Sequence, residues 1–192
     1  MAEAKKYWEV EQKYVLHDTE TQGRLLDGGF ELLRTEKHSD QYFRHPCRDF
    51  RETDEAFRLR TVNDDLLVTY KGKRLDSQVK VRHEIELALV LAERTQWMQM
   101  LVQLGFEPLP EVKKVRAIYR RPDSGAVTEE TVTIDQVDEL GLFAEVEVVV
   151  EGAKGIEAAE IQVQALAQRL GLSEIQPLSY LAQLLRKRGI ER

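Results

Sequence analysis

Tyr7-Trp8-Glu9-Val10-Glu11-Gln12-Lys13-Tyr14-Val15 is the stretch whose reading decides the fold. A strand sends residues i, i+2 and i+4 to one face, so Glu9, Glu11 and Lys13 share a side and Val10 and Tyr14 take the other. Any one such strand can be the solvated face of an ordinary amphipathic sheet. The same pattern recurs, however, in Arg58-Leu59-Arg60, Lys71-Gly72-Lys73, Arg82-His83-Glu84-Ile85-Glu86, Lys114-Val115-Arg116 and Glu145-Val146-Glu147. Each lies among strand-favouring residues, and like charges two apart repel unless opposite charge lies beside them. Six such segments point to one charged surface assembled by many strands.

The 192 residues suffice for a sizeable core and read as one domain over 1–192, since no linker, repeat or low-complexity tract interrupts them. With 42% hydrophobic and 32% charged residues the chain is globular. A net charge of −6 argues against general nucleic-acid binding, although a local basic pocket stays open. Cys47 is the single cysteine, so no internal disulfide is possible, and nothing beside it supplies a base and an orienting group. No apolar run reaches transmembrane length and no signal peptide is evident; a reducing, cytoplasmic setting is the expectation.

The pattern predicts strands over 7–16, 31–45, 55–62, 65–72, 78–88, 111–121, 127–135 and 142–151. A helix is expected from Thr19 to about Leu33, with Leu25 and Leu26 inward, Thr19 or Thr21 as its cap and Gly28-Gly29 as its stop. Further helices are expected over 91–104, with Trp97, Met98, Leu101 and Val102 at core spacing, over 156–170, and from Ser179 to Lys187. Asn63-Asp64 and Pro122-Asp123-Ser124-Gly125 read as hairpin turns. Hairpin order makes the sheet antiparallel, and closure would remove its edges. The expected fold is α+β: an eight-stranded antiparallel closed β-barrel, or tunnel, with a charged interior and surrounding helices.

Lys13, Arg58, Arg60, Lys71, Arg82, Lys114 and Arg116, with Lys73 as a further candidate, form the basic set of that surface. Glu9, Glu11, Glu84, Glu86, Asp135, Glu145 and Glu147 form the acidic set. Each buried isolated ion would cost several kcal/mol. A polyanion on the basic groups and a hard divalent cation on the carboxylates would relieve it. No His/Cys ligand cluster favours zinc, and no Gly-rich phosphate loop is present. A triphosphate with Mg²⁺ or Mn²⁺ is the occupant this chemistry suits.

Glu9-x-Glu11-x-Lys13, Asp40-Gln41-Tyr42-Phe43, Arg58-x-Arg60, Thr69-Tyr70-Lys71-Gly72, Arg82-x-Glu84-x-Glu86, Lys114-x-Arg116 and Leu140-Gly141-x-Phe143-x-Glu145-x-Glu147 fall in this order along the chain. Together they resemble the CYTH family, the triphosphate tunnel metalloenzymes named for class IV adenylyl cyclases and thiamine triphosphatases. Pro177-Leu178-Ser179-Tyr180-x-x-x-Leu184 is similar to the cyclase and archaeal branch. The resemblance implies Mg²⁺ or Mn²⁺ dependence and a substrate such as ATP, tripolyphosphate or thiamine triphosphate. It gives Glu9, Glu11, Glu145, Glu147 and, more weakly, Asp135 to the metals. It gives Arg58, Arg60, Lys71, Arg82, Lys114 and Arg116 to the phosphates, with Lys13 beside them and Glu84 and Glu86 as supporting carboxylates. Tyr42 and Lys71 fall where thiamine triphosphatases carry a catalytic pair, and Tyr42 reads equally as an aromatic lining residue. Lys13, Tyr42 and Lys71 are the catalytic candidates. A homodimer is also implied. Bacterial class IV cyclases tend to carry His-Phe-x-Gly before the first strand; here the stretch is Ala4-Lys5-Lys6-Tyr7-Trp8, a departure that bears on cyclase activity and not on the fold.

Overall fold

The computed structural model describes residues 7–73, 80–122 and 130–190. The elements are β1 (Tyr7–Leu16), α1 (Glu20–Asp27), β2 (Glu31–Arg44), β3 (Ala56–Val62), β4 (Asp65–Lys71), β5 (Lys80–Arg82), β6 (Glu84–Leu89), α2 (Arg94–Gln103), β7 (Glu107–Pro108), β8 (Val112–Arg120), β9 (Glu130–Val137), β10 (Gly141–Glu151), α3 (Ile156–Arg169) and α4 (Tyr180–Lys187). Every pairing between strands is antiparallel, and the sheet runs β5-β1-β10-β9-β8-β2-β3-β4-β6, with the two-residue β7 on the flank of β2. Only His83 separates β5 from β6. Counting those two as one interrupted strand and leaving β7 aside recovers the expected eight. The sheet is curled, and the segment holding β5 and β6 pairs β1 through residues 80–82 and β4 through residues 84–89. Past β5, the free edge of β1 is taken by the C-terminal segment: Val15 N–H donates to the Glu174 carbonyl and Gln176 N–H to that of Lys13.

Apolar residues cover the convex face. Val10 and Tyr14 of β1, Val132 and Ile134 of β9, and Ala144, Val146, Val148 and Val150 of β10 pack with Leu25 of α1 and Ala159, Val163, Leu166 and Ala167 of α3. Each fully buried Val or Leu stabilises by about 1.5–3 kcal/mol, so this inverted layering has its driving force outside the curled sheet. Under α2, Leu101 packs with Phe43, Leu59 and Leu66, flanked by Trp97 and Met98. A third cluster, Val112, Val137, Phe143, Tyr180 and Leu184, seats α4 across one end. Ser179 caps that helix, its Oγ accepting the Ala182 N–H at 3.1 Å.

The expected first helix is shorter than its pattern suggested. It ends at Asp27, and Leu26 is exposed. Gly29 adopts φ 78°, Gly29 N–H reaches the Leu26 carbonyl and Phe30 N–H that of Leu25. This is a Schellman stop, with Phe30 buried against Leu25. Leu32 and Leu33 therefore belong to β2, where a bulge between Leu32 and Arg34 leaves both exposed. Val102 is also exposed, not core. The turn expected at 122–125 and the start of the strand expected at 127 lie largely outside the described residues, as do 78–79 of the fifth strand. Among the described residues no helix is long and apolar enough to cross a membrane.

Candidate active site

Strand alternation turns the charged face of every long strand toward one cavity of about 1460 Å³. That exceeds the ~300–1,000 Å³ of ordinary small-molecule sites. Glu9, Glu11, Lys13, Tyr42, Arg58, Arg60, Lys71, Arg82, Glu84, Glu86, Lys114, Arg116, Glu145 and Glu147 line it. Lys73 is exposed and does not.

The acidic side is built by β1 and β10. Their register sets Glu11 opposite Glu147 and Lys13 opposite Glu145. One carboxylate oxygen from each of Glu9, Glu11 and Glu147 lies within 4.8 Å of the others. Burial, and then the charges of Glu9 and Glu11, push the Glu147 carboxyl well above its usual range. Three carboxylates converging this closely repel one another, and a hard divalent cation is the group that relieves them. The residues present therefore fit such a cation.

The basic side is built by β3, β4, β5 and β8. Arg60 grips Asp40 through two parallel hydrogen bonds, Nε to Oδ1 and Nη2 to Oδ2, and Arg58 Nη1 donates both to Asp40 Oδ2 at 3.2 Å and to Tyr42 Oη at 2.9 Å. Burial opposes ionisation of Asp40, but Arg58 and Arg60 outweigh it and hold the carboxyl far below the usual range. Lys71 Nζ lies 3.2 Å from Glu9 and 2.6 Å from Glu84. Burial would pull this ammonium down, but the two carboxylates more than restore it. Arg82 faces Asp54 at 3.7 Å. Glu86 sits toward the exposed rim and accepts the Thr69 hydroxyl at 3.0 Å.

Asp135, fully buried, is where three elements meet. It accepts from Lys114 Nζ at 2.8 Å, from Arg116 Nε and Nη2 at 2.7 and 2.6 Å, and from Tyr180 Oη at 2.8 Å. The structure thus brings Asp135 to the cations and not to the Glu9–Glu11–Glu147 cluster. Glu145 is likewise bonded by Arg116. Burial together with the neighbouring Arg116 lowers Lys114 to about 8, against the pull of Asp135 and Glu145. Lys13 stands beside these groups, its Nζ donating to the Leu178 carbonyl and lying 4.0 Å from the Tyr180 ring centroid.

Four further residues line the same cavity but lay outside the sequence-based site: Glu36, His38, Asp40 as the partner of two arginines, and Tyr180. The signal for the first three was present, since Glu36, His38, Asp40 and Tyr42 fall at spacing two in β2. Tyr180 was marked only as part of the Pro177–Leu184 motif, and its contact with Asp135 comes from the docking of α4.

The geometry agrees with what comparison finds. The sequence profile of the CYTH domain matches residues 8–179. A Methanocaldococcus jannaschii protein, MJ0240, whose name provisionally assigns it as an adenylate cyclase, is 38% identical over 140 residues, spanning 72% of this chain and 75% of its own. The solved PH1819 protein of Pyrococcus horikoshii superposes with a TM-score of 0.83 at 35% identity, over 94% of this chain and 99% of that one. At 17% identity, and hence as a likeness of fold alone, the Hippeastrum protein HpAC1, described as having a dominant triphosphatase activity, superposes with a TM-score of 0.64 over 95% and 96% of the two chains. Profile, relatives and charged concave face agree: this chain belongs to the CYTH-domain family.

Proposed function

We propose that this protein is a divalent-cation-dependent enzyme that breaks a phosphoanhydride bond of a triphosphate, in the manner of a class IV adenylyl cyclase converting ATP to cyclic AMP and pyrophosphate. The observation that carries the reading is the division of one cavity into a carboxylate cluster, Glu9, Glu11 and Glu147, and an opposing bank of Arg58, Arg60, Lys71, Lys114 and Arg116. Neither side is explained by packing. The curled sheet closes through the segment carrying β5 and β6, making the cavity a tunnel.

Glu9, Glu11 and Glu147 hold the cation, with Glu145 adjacent. When bound, Mg²⁺ or Mn²⁺ neutralises phosphoryl oxygens and polarises the phosphorus they surround. Arg58 and Arg60 present planar donors already oriented by Asp40, and Lys114 and Arg116 are oriented by Asp135. This preorganisation spares reorganisation as charge moves onto the leaving phosphate. In this reading Asp40 and Asp135 position cations and ligate no metal. Lys71, between Glu9 and Glu84, stands where the two banks meet, and Tyr42 lines the cavity on Arg58; together they position the bond that breaks. In cyclisation the ribose 3′-oxygen bonds the α-phosphorus as its proton passes to solvent, and the bond from the α-phosphorus to the bridging oxygen breaks to release pyrophosphate.

The departure at Ala4–Trp8 favours a second reading, in which the same banks hold tripolyphosphate or thiamine triphosphate and water attacks the terminal phosphorus. Incubation with ATP, tripolyphosphate and thiamine triphosphate, each with Mg²⁺ or Mn²⁺, decides between them once products are resolved by ion exchange. Cyclic AMP with pyrophosphate is the expected result. Orthophosphate without cyclic AMP would transfer the assignment to the triphosphatase, and no turnover of any of the three would sink both.

A further inference from the structure

His38 projects from β2 into the lining of the same cavity and is 6% exposed. One ring nitrogen, Nε2, lies 2.7 Å from Glu36 Oε2. The other, Nδ1, is buried and has no hydrogen-bonding partner among the described residues. The groups that face the ring are Glu36 from its own strand, Arg60 from β3, and Lys114 and Arg116 from β8. Backbone register sets His38 directly across from Lys114. A neutral imidazole donating Nε2–H to Glu36 leaves a lone pair on Nδ1, and three cations around it oppose any proton there.

That environment changes once the cations are engaged. A triphosphate lying on Arg60, Lys114 and Arg116 brings several negative charges beside the ring and offsets the repulsion that keeps it neutral. It also supplies what a protonated Nδ1 lacks, an acceptor oxygen. We propose that His38 is a phosphate-binding residue of this site that becomes cationic as the triphosphate is captured, coupling ligand binding to uptake of a proton. The inference rests on the reading of the cavity as a triphosphate site.

In the ligand-free protein, burial and then Arg60, Lys114 and Arg116 push His38 down to about 4, against the Glu36 hydrogen bond. The sign follows. Between that value and the higher one of the complex, binding takes up a proton, and affinity falls as pH rises through the upper value. Lys114, at about 8, stays protonated near pH 6 with or without ligand, so it is silent in this window.

The test is calorimetric titration of tripolyphosphate into wild type and His38→Gln in EDTA near pH 6, in two buffers of different ionisation enthalpy. Wild type should take up as much as about one proton per binding event more than the variant. Its affinity advantage of roughly 10-fold should fade toward pH 8. Should the buried substitution fail to fold, the His38 Cε1–H resonance of the wild type, assigned by removing His17, His45 and His83 singly, reads the same event. It should move to the imidazolium position on adding tripolyphosphate at pH 6. Equal proton uptake in the two proteins, or an unmoved resonance in a saturated complex, would overturn the role of His38 and leave the triphosphate site standing. If wild type binds no tripolyphosphate with or without Mg²⁺, the site reading itself fails and this inference with it.

Discussion

Arg60 and Asp40 are joined by two parallel hydrogen bonds of 2.7 Å each, side by side across the β2–β3 ladder where their backbones are also register partners. This fork uses two of the five guanidinium donors and fixes the plane of the rest. Asp40 is 3% exposed and also receives Arg58, so it is a buried anion that keeps two cations in place.

Asp40→Asn should therefore cost about 3–5 kcal/mol, the range for breaking one side of a buried ion pair, read as a lower urea midpoint. Its pH dependence carries a definite sign. The folded carboxyl is depressed from 3.8, so its contribution is present above that pH and is lost as pH falls through the folded value. The variant should lose less stability than wild type below pH 3.8. Parallel acid-unfolding curves for the two proteins would show that Asp40 is not the ionised anchor described.

Glu11→Gln keeps size and removes one negative charge from the Glu9–Glu11–Glu147 cluster. Turnover with Mg²⁺ or Mn²⁺ should fall on the order of 100-fold or more, as befits loss of a group holding the charge-stabilising ion. The fold should survive, since the change removes repulsion and no apolar contact. Wild-type rates at saturating Mg²⁺ would show that these carboxylates do not hold the catalytic ion.

Lys114 gives a second pH signature, of the same sign as that of Asp40 but in an alkaline window. Its folded value, about 8 against 10.5, means that the unfolded chain binds the proton more tightly through that interval. Stability of the ligand-free protein should rise as pH goes from 8 to 10, by about 2–3 kcal/mol from this group alone. Lys114→Met should flatten the rise while leaving Asp135 with Arg116 and Tyr180. Denaturant midpoints at pH 7, 8, 9 and 10 test it, and an unchanged slope in the variant would contradict the assignment.

The strands were legible because charge alternates with apolar residues at the strand period, and that period survives any tertiary arrangement. The inward direction of the charges followed from their number across six segments, and the structure bears it out from Lys13 on β1 to Glu147 on β10. Partners were less legible. Arg58 and Arg60 face the cavity as expected, but their anchor Asp40 is eighteen and twenty residues away in sequence, and only the β2–β3 register joins them. Asp135 shows the same limit. Spacing marks it as an inward carboxylate, whereas its neighbours decide whether it meets a metal or a lysine. The stop of α1 was legible in Gly28-Gly29, and Gly29 does take the left-handed backbone that ends the helix; the expected reach to about Leu33 ran past it into β2.

Tyr180 ties α4 to the cavity, and its two attachments can be separated by mutation. The hydroxyl donates to Asp135, and burial, then Glu145 and Asp135, hold its ionisation well above the usual tyrosine range, so it remains a donor into alkaline pH. The ring packs edge-on to Phe143 with centroids 5.1 Å apart and carries the Lys13 ammonium 4.0 Å from its own centroid. Tyr180→Phe keeps the ring contacts and removes one hydrogen bond to a charged group that retains Lys114 and Arg116, for a cost of about 1.5–3 kcal/mol. Tyr180→Ala should cost more, about 3–5 kcal/mol, because it also opens a cavity beside Phe143 and Leu184. A double-mutant cycle with Lys13→Met isolates the cation–ring contact, which at a buried site should couple by about 2 kcal/mol in the Tyr180→Ala cycle and by almost nothing in the Tyr180→Phe cycle. Coupling in the Phe cycle instead would mean that Lys13 senses α4 through Asp135, making the helix part of the charge network and not only its cover.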